Sequence, residues 1–427
     1  MSRLRRTAPA PPVRVVHLGL GSFFRAHQAW YTHHSPDAAE WGIAAFAGRS
    51  AALAEALAGQ DGLYTLVTRA ADGDRFEVVG SVSAAHAATD HEAWLGYLAS
   101  PDLAVVTLTV TEAGYRPGPG SAVERLVAGL VARRDADAGP LTLLPCDNLA
   151  HNGAVLARAV TGLAERADPR MLPWLTSSVS FATTMVDRIT PRTTDDDVRV
   201  VAAATGVDDA VPVVTEPFSE WVVSGAFPAG RPSWQAAGVL LTDDLAPFEQ
   251  RKLWLLNGAH SLLAYAAPLR GAVTVADAVA DPVVRRWLGA WWDEASVHLP
   301  QPAVELTAYR AALLDRFANP RMQHRLAQIA ADGSQKLPVR ILPALRAERA
   351  AGRLPEGATL ALAAWVCHLR GAGGPVDDVR AEQYLPLARG PLTEATRRVL
   401  AALDPEAGAD PELVTAVAAV AKELGPS

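Results

Sequence analysis

The sequence has little of several features that mark specialised classes of protein. Its two cysteines, Cys146 and Cys367, form no spaced pattern, which excludes a disulfide framework and a cysteine-based zinc site. Its eleven histidines show no H-E-x-x-H or related metal-binding spacing. No run of ~20 apolar residues occurs, so no membrane span is expected. The net charge of −7 leaves no basic excess for nucleic acid. The partners are therefore expected to be small molecules, with no metal.

The leader MSRLRRTAPAPP carries a pair of arginines, but no apolar segment follows it. It therefore indicates neither a signal peptide nor a twin-arginine export signal, and a cytoplasmic protein is expected. The 427 residues are enough for two domains, and the content of 50% hydrophobic and 20% charged residues is ordinary for a globular protein. The pattern does not determine the oligomeric state, so a monomer or a small homo-oligomer is expected.

The first motif follows an apolar run over 13–18, which predicts a buried parallel strand. The loop GLGSFFR (19–25) and a helical stretch to Tyr31 come next. Its two glycines stand where a tight turn would bring backbone N–H groups against a pyrophosphate, and Phe24 replaces the third glycine of G-x-G-x-x-G. A purely structural turn is the alternative. The cofactor contacts predicted in this loop are Gly19, Gly21, Phe23, Phe24 and Arg25.

The next strands carry the rest of the predicted cofactor site. Strand 42–46 ends at Ala-Gly-Arg-Ser, without the acid that often holds the ribose hydroxyls of NAD. Arg49 could meet a 2′-phosphate, stack on adenine or remain solvated, so NAD is expected and NADP stays open. Segments 63–69 and 76–82 alternate as a hairpin. Strand 103–110 ends at Thr111 and Glu112, where a doubly wound sheet places ligand contacts.

Two later strands also end in polar residues. The strand that begins at 141–144 runs into Cys-Asp-Asn (146–148), and 179–181 leads to Met-Val-Asp-Arg (185–188). Asn148 and Asp187 are therefore candidate site residues. The bland alternatives are a helix cap at Asn152 and a structural ion pair between Asp187 and Arg188.

The segment RKLWLLNGAHSLLA (251–264) predicts a buried helix with three polar groups. At 100° per residue, Asn257 lies about 140° round the helix from Lys252, and His260 lies between them at about 80°. An apolar helix has no structural need for an ammonium, an amide and an imidazole on one side, because each is costly to bury unpaired. The alternative is a solvated lysine, an asparagine bonded to the backbone and a satisfied core histidine.

From Pro247 onward the sequence indicates mostly amphipathic helix. The predicted fold is α/β, with a Rossmann-type doubly wound sheet over 1–242 and a second, mainly α-helical domain over 243–427 that binds the substrate.

These motifs, in this order, resemble the polyol-specific long-chain dehydrogenase/reductase (mannitol dehydrogenase) family, which includes mannitol 2-dehydrogenases and D-mannonate oxidoreductases (fructuronate reductases). The matching stretches are HLGLGSFFRAHQA, TVTEAGY, CDNLAHNG, TMVDRITP, TEPFSEWVV, KLWLLNGAHS, RFANP and DGSQKLP. The resemblance implies a metal-independent, NAD(P)-dependent oxidoreductase that interconverts a sugar-derived secondary alcohol and ketone. It also implies Lys252 as general base, Asn148 and Asn257 as alkoxide stabilisers, His260 as a substrate-hydroxyl contact and Asp187 as a positioning carboxylate.

The substrate stays open between D-mannitol/D-fructose and D-mannonate/D-fructuronate. Mannitol 2-dehydrogenases tend to carry an arginine where this chain has Gln328, and the stretch from His324 resembles the mannonate branch more closely. A carboxylate substrate would need a counter-ion, for which Lys336 and Arg340 are candidates. The alternatives are a sugar-phosphate relative such as a mannitol-1-phosphate dehydrogenase, a non-catalytic redox sensor on the same fold, and a methyltransferase with a similar glycine-rich turn.

Overall fold

A computed structural model describes residues 2–48 and 50–425. The chain forms two compact units, Met1–Leu245 and Ala246–Ser427. Among the described residues, no helix combines the length and the apolar character needed to cross a bilayer.

All strands of the described residues lie in the first unit. They are β1 (Ser2–Arg3), β2 (Val13–Leu20), β3 (Gly42–Ala47), β4 (Tyr64–Ala70), β5 (Gly73–Val79), β6 (Val82–His86), β7 (Val105–Leu108), β8 (Leu141–Pro145), β9 (Val179–Phe181), β10 (Thr183–Asp187), β11 (Val207–Asp208), β12 (Val213–Thr215), β13 (Glu220–Ser224) and β14 (Leu240–Leu241).

The main sheet has six parallel strands in the order β6-β3-β2-β7-β8-β9. Its central strands are buried on both faces, as their apolar runs predict for a parallel sheet. Consecutive crossovers run outward from β2 in both directions, so the strand order reverses between β2 and β7. Ligands bind at the carboxyl ends beside such a switch point. The predicted Rossmann-type sheet is confirmed.

The predicted hairpin is present as the antiparallel pair β4–β5, with Tyr64 opposite Val79. The prediction extended it to Val82, which is wrong. After Val79 the chain leaves the hairpin, and Val82 begins β6, a parallel edge strand of the main sheet that pairs with Ile43. The two strands are separated by only Gly80 and Ser81, so alternation along the sequence could not distinguish them.

Three small sheets accompany the main one, in the orders β12-β4-β5, β10-β13-β14 and β1-β11. The first unit also contains helices α1 (Ser22–Ala26), α2 (Gln28–His33), α3 (Ala52–Ala58), α4 (His91–Leu98), α5 (Ala122–Asp135), α6 (Asn152–Ala167), α7 (Met171–Ser178) and α8 (Asp195–Thr205). Apolar clusters cover both faces of the main sheet, with Val15 in one and Val16 in the other, because successive strand side chains point to opposite faces.

The second unit is helical, as expected from its sequence pattern. Its helices are α9 (Ala246–Arg251), α10 (Ala259–Ala266), α11 (Val275–Ala280), α12 (Pro282–Val297), α13 (Ala303–Phe317), α14 (Leu326–Ala330), α15 (Gly333–Arg340), α16 (Leu342–Ala350), α17 (Glu356–Leu369), α18 (Ala381–Leu387), α19 (Leu392–Leu403), α20 (Pro405–Ala409) and α21 (Pro411–Leu424). Helix α17 is buried on all sides and packs against α10, α12 and α21. A helix that is apolar all round is a core helix.

Candidate active site

The two glycines of the loop after β2 differ in whether the backbone and its surroundings could accept a side chain. Gly19 has φ +117°, and a Cβ there would lie 2.2 Å from the Thr109 carbonyl oxygen. Gly21 has extended backbone (φ −149°, ψ −175°), and the nearest atom to its Cβ position is Gly19 O at 3.6 Å. Of these two glycines, the fold therefore requires only Gly19. At position 21 the missing side chain leaves space through which a ligand can approach the backbone.

A buried histidine of β2 is linked to this loop by hydrogen bonds and ring stacking. His17 lies in β2, where its ring contacts Thr107 Oγ1 (2.7 Å from Nδ1) and Thr109 Oγ1 (3.0 Å from Nε2). Thr109 Oγ1 in turn donates to Gly19 O at 2.9 Å. The His17 ring stacks on Phe24 with 3.7 Å between centroids. Burial lowers the pKa of His17 to about 3, so the imidazole is neutral at physiological pH.

The other predicted residues of the loop differ in exposure. Phe24, in place of the third glycine, has no exposed surface, and Arg25 is nearly as buried. The Arg25 guanidinium donates to Gly21 O at 3.2 Å and to Val211 O, and burial lowers its pKa to about 10. Both side chains therefore hold the loop from inside and present no surface to a cofactor. Phe23 remains partly exposed and stacks on His27 at 5.0 Å.

The remaining predicted cofactor contacts are Thr111, Glu112 and Arg49. Thr111 is exposed beyond the carboxyl end of β7. Glu112 begins a short 3₁₀ turn, Glu112–Tyr115, and its side chain lies outside the described part of the molecule. Arg49 also lies outside the described residues. The choice between NAD and NADP therefore stays a prediction.

Asp147, which the sequence analysis passed over, joins the loops after β7 and β8. Its carboxylate accepts hydrogen bonds from the Val110 N–H and the Tyr115 hydroxyl. Burial raises the pKa of Asp147 to about 7. The available signal was its place in the Cys-Asp-Asn motif, directly before Asn148. Asn148 itself is exposed on the loop that Asp147 holds.

The sequence suggested Asn152 as a helix cap, but the structure shows that it is not one. It is the first residue of α6 and is fully buried, and both the nitrogen and the oxygen of its side-chain amide form hydrogen bonds. Its nitrogen donates to Asp147 O (3.2 Å) and Thr184 O (3.0 Å), and its oxygen accepts from Thr183 Oγ1 (2.9 Å) and Thr184 N (3.1 Å). It therefore ties the loop that carries Asn148 to β10, the strand that ends at Asp187.

Asp187 is buried at the end of β10, beside Arg188 in sequence. The Arg188 guanidinium donates to Ala26 O at 2.5 Å and Glu216 O at 3.3 Å, and lies 4.6 Å from the centre of the Trp30 ring. Burial lowers its pKa to about 10. Arg188 thus satisfies main-chain carbonyls of neighbouring segments.

The segment of the second unit with the predicted catalytic residues is helical, but its start is not an α-helix. Lys252–Gly258 forms a π-helical turn between α9 and α10. A turn closed by i→i+5 hydrogen bonds holds an extra residue, so residues five apart lie closer together around the helix axis than they do in an α-helix. The predicted angle of about 140° between Lys252 and Asn257 is therefore wrong, because it assumed α-helical geometry. The π turn therefore reduces the angle between the two residues around the helix axis.

These polar groups are largely removed from solvent. Lys252 is 8% exposed, His260 is 9% exposed, and Asn257 is half-buried. Within residues 2–48 and 50–425, His260 Nε2 is buried with no hydrogen-bond partner. The pKa of His260 lies well below its usual value, first because of burial and then because of its ionisable neighbours His324, Arg316, Arg340 and Lys252. A buried, neutral imidazole with an unused ring nitrogen can hydrogen-bond a hydroxyl ligand.

The predicted substrate residues differ in how many hydrogen bonds their side chains form within the protein. Arg340 Nη1 lies 3.4 Å from Asn257 O and 3.3 Å from Ser261 Oγ, and burial lowers its pKa to about 10. Arg340 therefore adjoins the π turn. Lys336 donates to Ala331 O (2.5 Å) and Ile329 O (3.2 Å), where it caps the end of α14, and burial lowers its pKa. Gln328 is exposed on α14.

Across residues 2–48 and 50–425, no group of three or more His, Cys, Asp or Glu side chains could hold a metal ion. What the structure assembles instead are a glycine loop beside the switch point in the first unit, and an ammonium, an amide and an imidazole on one helix in the second. Such a set of groups is suited to proton transfer and hydrogen bonding at a substrate oxygen.

Comparisons with known proteins agree with this picture. Residues 13–236 match the family model described as the mannitol dehydrogenase Rossmann domain, and residues 244–422 match the mannitol dehydrogenase C-terminal domain. D-mannonate oxidoreductase of Escherichia coli (strain K12) is 38% identical over 400 residues, which cover 86% of this chain and 82% of that protein.

Two solved structures are similar over nearly the whole chain. Pseudomonas fluorescens mannitol 2-dehydrogenase, in a ternary complex with NAD and D-mannitol, has a TM-score of 0.80 and 34% identity, covering 97% of this chain and 92% of that one. A substrate-free D-sorbitol dehydrogenase has a TM-score of 0.89 and 29% identity, covering 99% and 97%. The chain therefore belongs to the mannitol dehydrogenase family, and it is an oxidoreductase that acts on CH–OH groups.

Proposed function

We propose that this protein is a metal-independent, NAD(P)-dependent dehydrogenase that interconverts a sugar-derived secondary alcohol and its ketone, with Lys252 as the general base. The observation that carries the proposal is the π turn Lys252–Gly258, which contains a buried lysine and an asparagine five residues apart in a chain of this family.

Lys252 has the chemistry that alcohol oxidation requires. The hydroxyl proton must leave as hydride departs from the carbon, and a lysine removes it near neutrality only if burial or a nearby cation lowers its pKa to ~7–8. Lys252 is 8% exposed, and its charge acts on the neighbouring His260. Burial of the lysine is the condition that this mechanism needs. In ketone reduction the protonated lysine would return the proton.

The oxygen that loses its proton needs hydrogen-bond donors. Asn257 and Asn148 are proposed as the amide donors to the developing alkoxide, and one such donor is worth ~3–4 kcal/mol in the transition state. His260 is proposed to hydrogen-bond a second substrate hydroxyl through Nε2, the nitrogen that has no partner within the described residues. Asp187 is proposed to position the substrate or the lysine.

The nicotinamide cofactor would supply the hydride acceptor or donor when bound. The first unit fits it at the loop after β2, because a Cβ on Gly21 would occupy open space beside the backbone, where a pyrophosphate must approach closely. Phe23, Thr111, Glu112 and Arg49 are the remaining proposed contacts, with Phe24 and Arg25 supporting the loop from inside. NAD is the proposed cofactor and NADP the alternative, since no acid follows β3.

A carboxylate-bearing substrate, the D-mannonate/D-fructuronate pair, is our first candidate. Arg316 and Arg340 act as positive charges on His260, and such surroundings favour an anion. Arg340 is the proposed counter-ion and Lys336 the second candidate, with Gln328 as a neutral contact. The D-mannitol/D-fructose pair is the second candidate, because the solved relative of 34% identity was captured with D-mannitol.

A substrate panel tests both pairs. The absorbance of the reduced cofactor would be followed for NADH and NADPH with fructuronate, tagaturonate and fructose, and for the oxidised cofactors with mannonate, mannitol and arabinitol. Turnover of a uronate but not fructose supports the first candidate, and the opposite supports the second. No turnover of any substrate, with the cofactor still bound, would contradict the proposal and favour a non-catalytic redox sensor.

The same assay tests the proposed base. Lys252→Ala should lose most turnover while the dissociation constant of NADH, measured by fluorescence titration, stays nearly unchanged. Asn257→Ala should mainly lower kcat, because it removes a donor used in the transition state. Wild-type rates in either variant would remove that residue from its assigned role.

A further inference from the structure

Two adjacent tryptophans of α12 hydrogen-bond to the backbone of the π turn. Trp291 Nε1 donates to Trp254 O at 3.0 Å, and Trp292 Nε1 donates to Leu255 O at 2.8 Å. Both indoles are buried. The two carbonyls that accept these bonds are consecutive and lie in the middle of the turn, between the proposed base Lys252 and the proposed oxyanion donor Asn257.

A π turn is rare because its extra residue moves each carbonyl away from the N–H group that an α-helix would offer it. External donors at two successive carbonyls compensate for that offset. They also make those carbonyls part of a fixed contact with α12, since both indoles belong to one helix. The hydrogen bonds therefore favour the conformation in which the turn contains an extra residue.

Gly258, the last residue of the turn, allows one of these indoles to lie against it. A Cβ at position 258 would lie 2.6 Å from Trp291 Cζ2 and 2.9 Å from Trp291 Nε1. On the other side, a Cβ at Gly357 of α17 would lie 2.5 Å from the backbone nitrogen of Trp291. Trp291 is thus packed without clearance between the π turn and α17.

We propose that Trp291, Trp292 and Gly258 are positioning residues that hold Lys252–Gly258 as a π turn and thereby reduce the angle between Lys252 and Asn257 around the helix axis. In an α-helix the same two residues would diverge by about 140°. This inference rests on the proposed function, in which Lys252 and Asn257 act on the same substrate oxygen. It adds the groups that set their mutual geometry.

The test removes the indole donors and keeps most of the ring. Trp291→Phe and Trp292→Phe delete one N–H group each, and Tyr384→Phe is the matched control. Tyr384 lies in α18 of the same unit, is buried, and donates to Ala402 O at 3.0 Å. All three variants lose one donor to a main-chain carbonyl, so each should lower the unfolding temperature, and the Trp→Phe variants should do so more because the smaller ring also leaves a cavity. The assay uses the full-length protein with the substrate that the panel identifies.

A positioning role predicts a separation of kinetic constants that a loss of stability does not. Each Trp→Phe variant should lose about 10- to 100-fold in kcat, the scale of a ~1 Å misplacement of catalytic groups. KM and the dissociation constant of NADH should stay within about twofold of wild type. The apparent pKa on the acidic limb of kcat/KM should also move, because the surroundings of Lys252 change. Tyr384→Phe should show neither effect.

A second variant covers the case in which the Trp→Phe proteins do not fold. Gly258→Ala keeps both indole donors but forces the Trp291 ring away from the turn, and it should lower kcat in the same way. Wild-type kcat in Gly258→Ala, or Trp→Phe variants that match Tyr384→Phe, would overturn the inference. If Lys252→Ala is inactive in the same experiments, the proposed function survives that result. Full activity of Lys252→Ala would remove the proposed function itself.

Discussion

The glycine loop offers the sharpest test of the cofactor site, because its two glycines should respond in opposite ways. Gly21→Ala places a methyl group where the nearest atom is 3.6 Å away, on extended backbone that alanine adopts readily. Fewer unfolded conformations would stabilise the variant by up to about 1 kcal/mol, so its stability should equal or slightly exceed that of wild type. The same methyl group would obstruct a pyrophosphate, and NADH affinity should fall at least ~10-fold, or about 1.4 kcal/mol.

Gly19→Ala is the comparison variant. Its φ of +117° disfavours an L side chain, and its Cβ would lie 2.2 Å from the Thr109 carbonyl oxygen. Left-handed strain of about 1–2 kcal/mol and an overpacking cost of about 1–3 kcal/mol together predict a loss of roughly 2–5 kcal/mol in the free energy of unfolding. The affinity of any folded fraction for NADH would fall as well, because the loop must move.

Urea denaturation measures the first quantity, and quenching or enhancement of NADH fluorescence measures the second. Gly21→Ala should therefore be normal in stability and weak in binding, whereas Gly19→Ala should be impaired in both. Wild-type NADH affinity in Gly21→Ala would refute the placement of the cofactor along this loop. A large loss of stability in Gly21→Ala would show that the protein itself needs the glycine.

Three further predictions concern buried groups of the first unit. His17 has a folded pKa of about 3 against 6.5 in the unfolded chain, so its contribution is present above pH 6.5 and is lost on acidification, by about 3 kcal/mol between pH 7 and pH 4. His17→Gln should flatten that acid limb of unfolding free energy against pH, and an unchanged slope would contradict the assignment of a buried neutral imidazole. Asp147 acts in the opposite direction: its pKa rises from 3.8 to about 7, so its contribution is present below pH 3.8 and is lost as pH rises through 7, and Asp147→Asn should remove this slope. Asn152→Ala breaks hydrogen bonds between one buried amide and both the loop after β8 and strand β10, and it should cost about 3 kcal/mol in urea denaturation. A loss below about 0.5 kcal/mol would mean that solvent replaces those bonds.

Much of the first unit followed from local pattern. The apolar runs at 13–18 and 103–110 predicted parallel strands because a strand buried on both faces must be apolar at nearly every position. Polar residues directly after such strands predicted the region of the site, since parallel strands end at one edge of the sheet. The motif order also identified the mannitol dehydrogenase family, which the comparisons confirm. Each of these features depends on residues close together in the chain.

The errors share a physical cause, which is that long-range contacts selected among local alternatives. Val82 continued an alternating pattern, yet pairing with Ile43 made it the start of a separate strand. Asn152 had the composition of a cap, yet four hydrogen bonds to the loop after β8 and to strand β10 occupy its amide. The Lys252–Gly258 stretch has an ordinary α-helical sequence, so its π geometry could not be predicted from it. The carbonyls of this turn accept hydrogen bonds from the indoles of Trp291 and Trp292, which are distant in sequence.

The sequence by itself thus determined the fold class, the family and the set of chemical groups available for catalysis, because hydrophobic periodicity and motif spacing are local properties of the chain. Only the tertiary structure decided how those groups are oriented and charged. The neutral His17, the buried Asp147 and the π-helical geometry of Lys252–Gly258 all depend on desolvation and packing by residues distant in sequence.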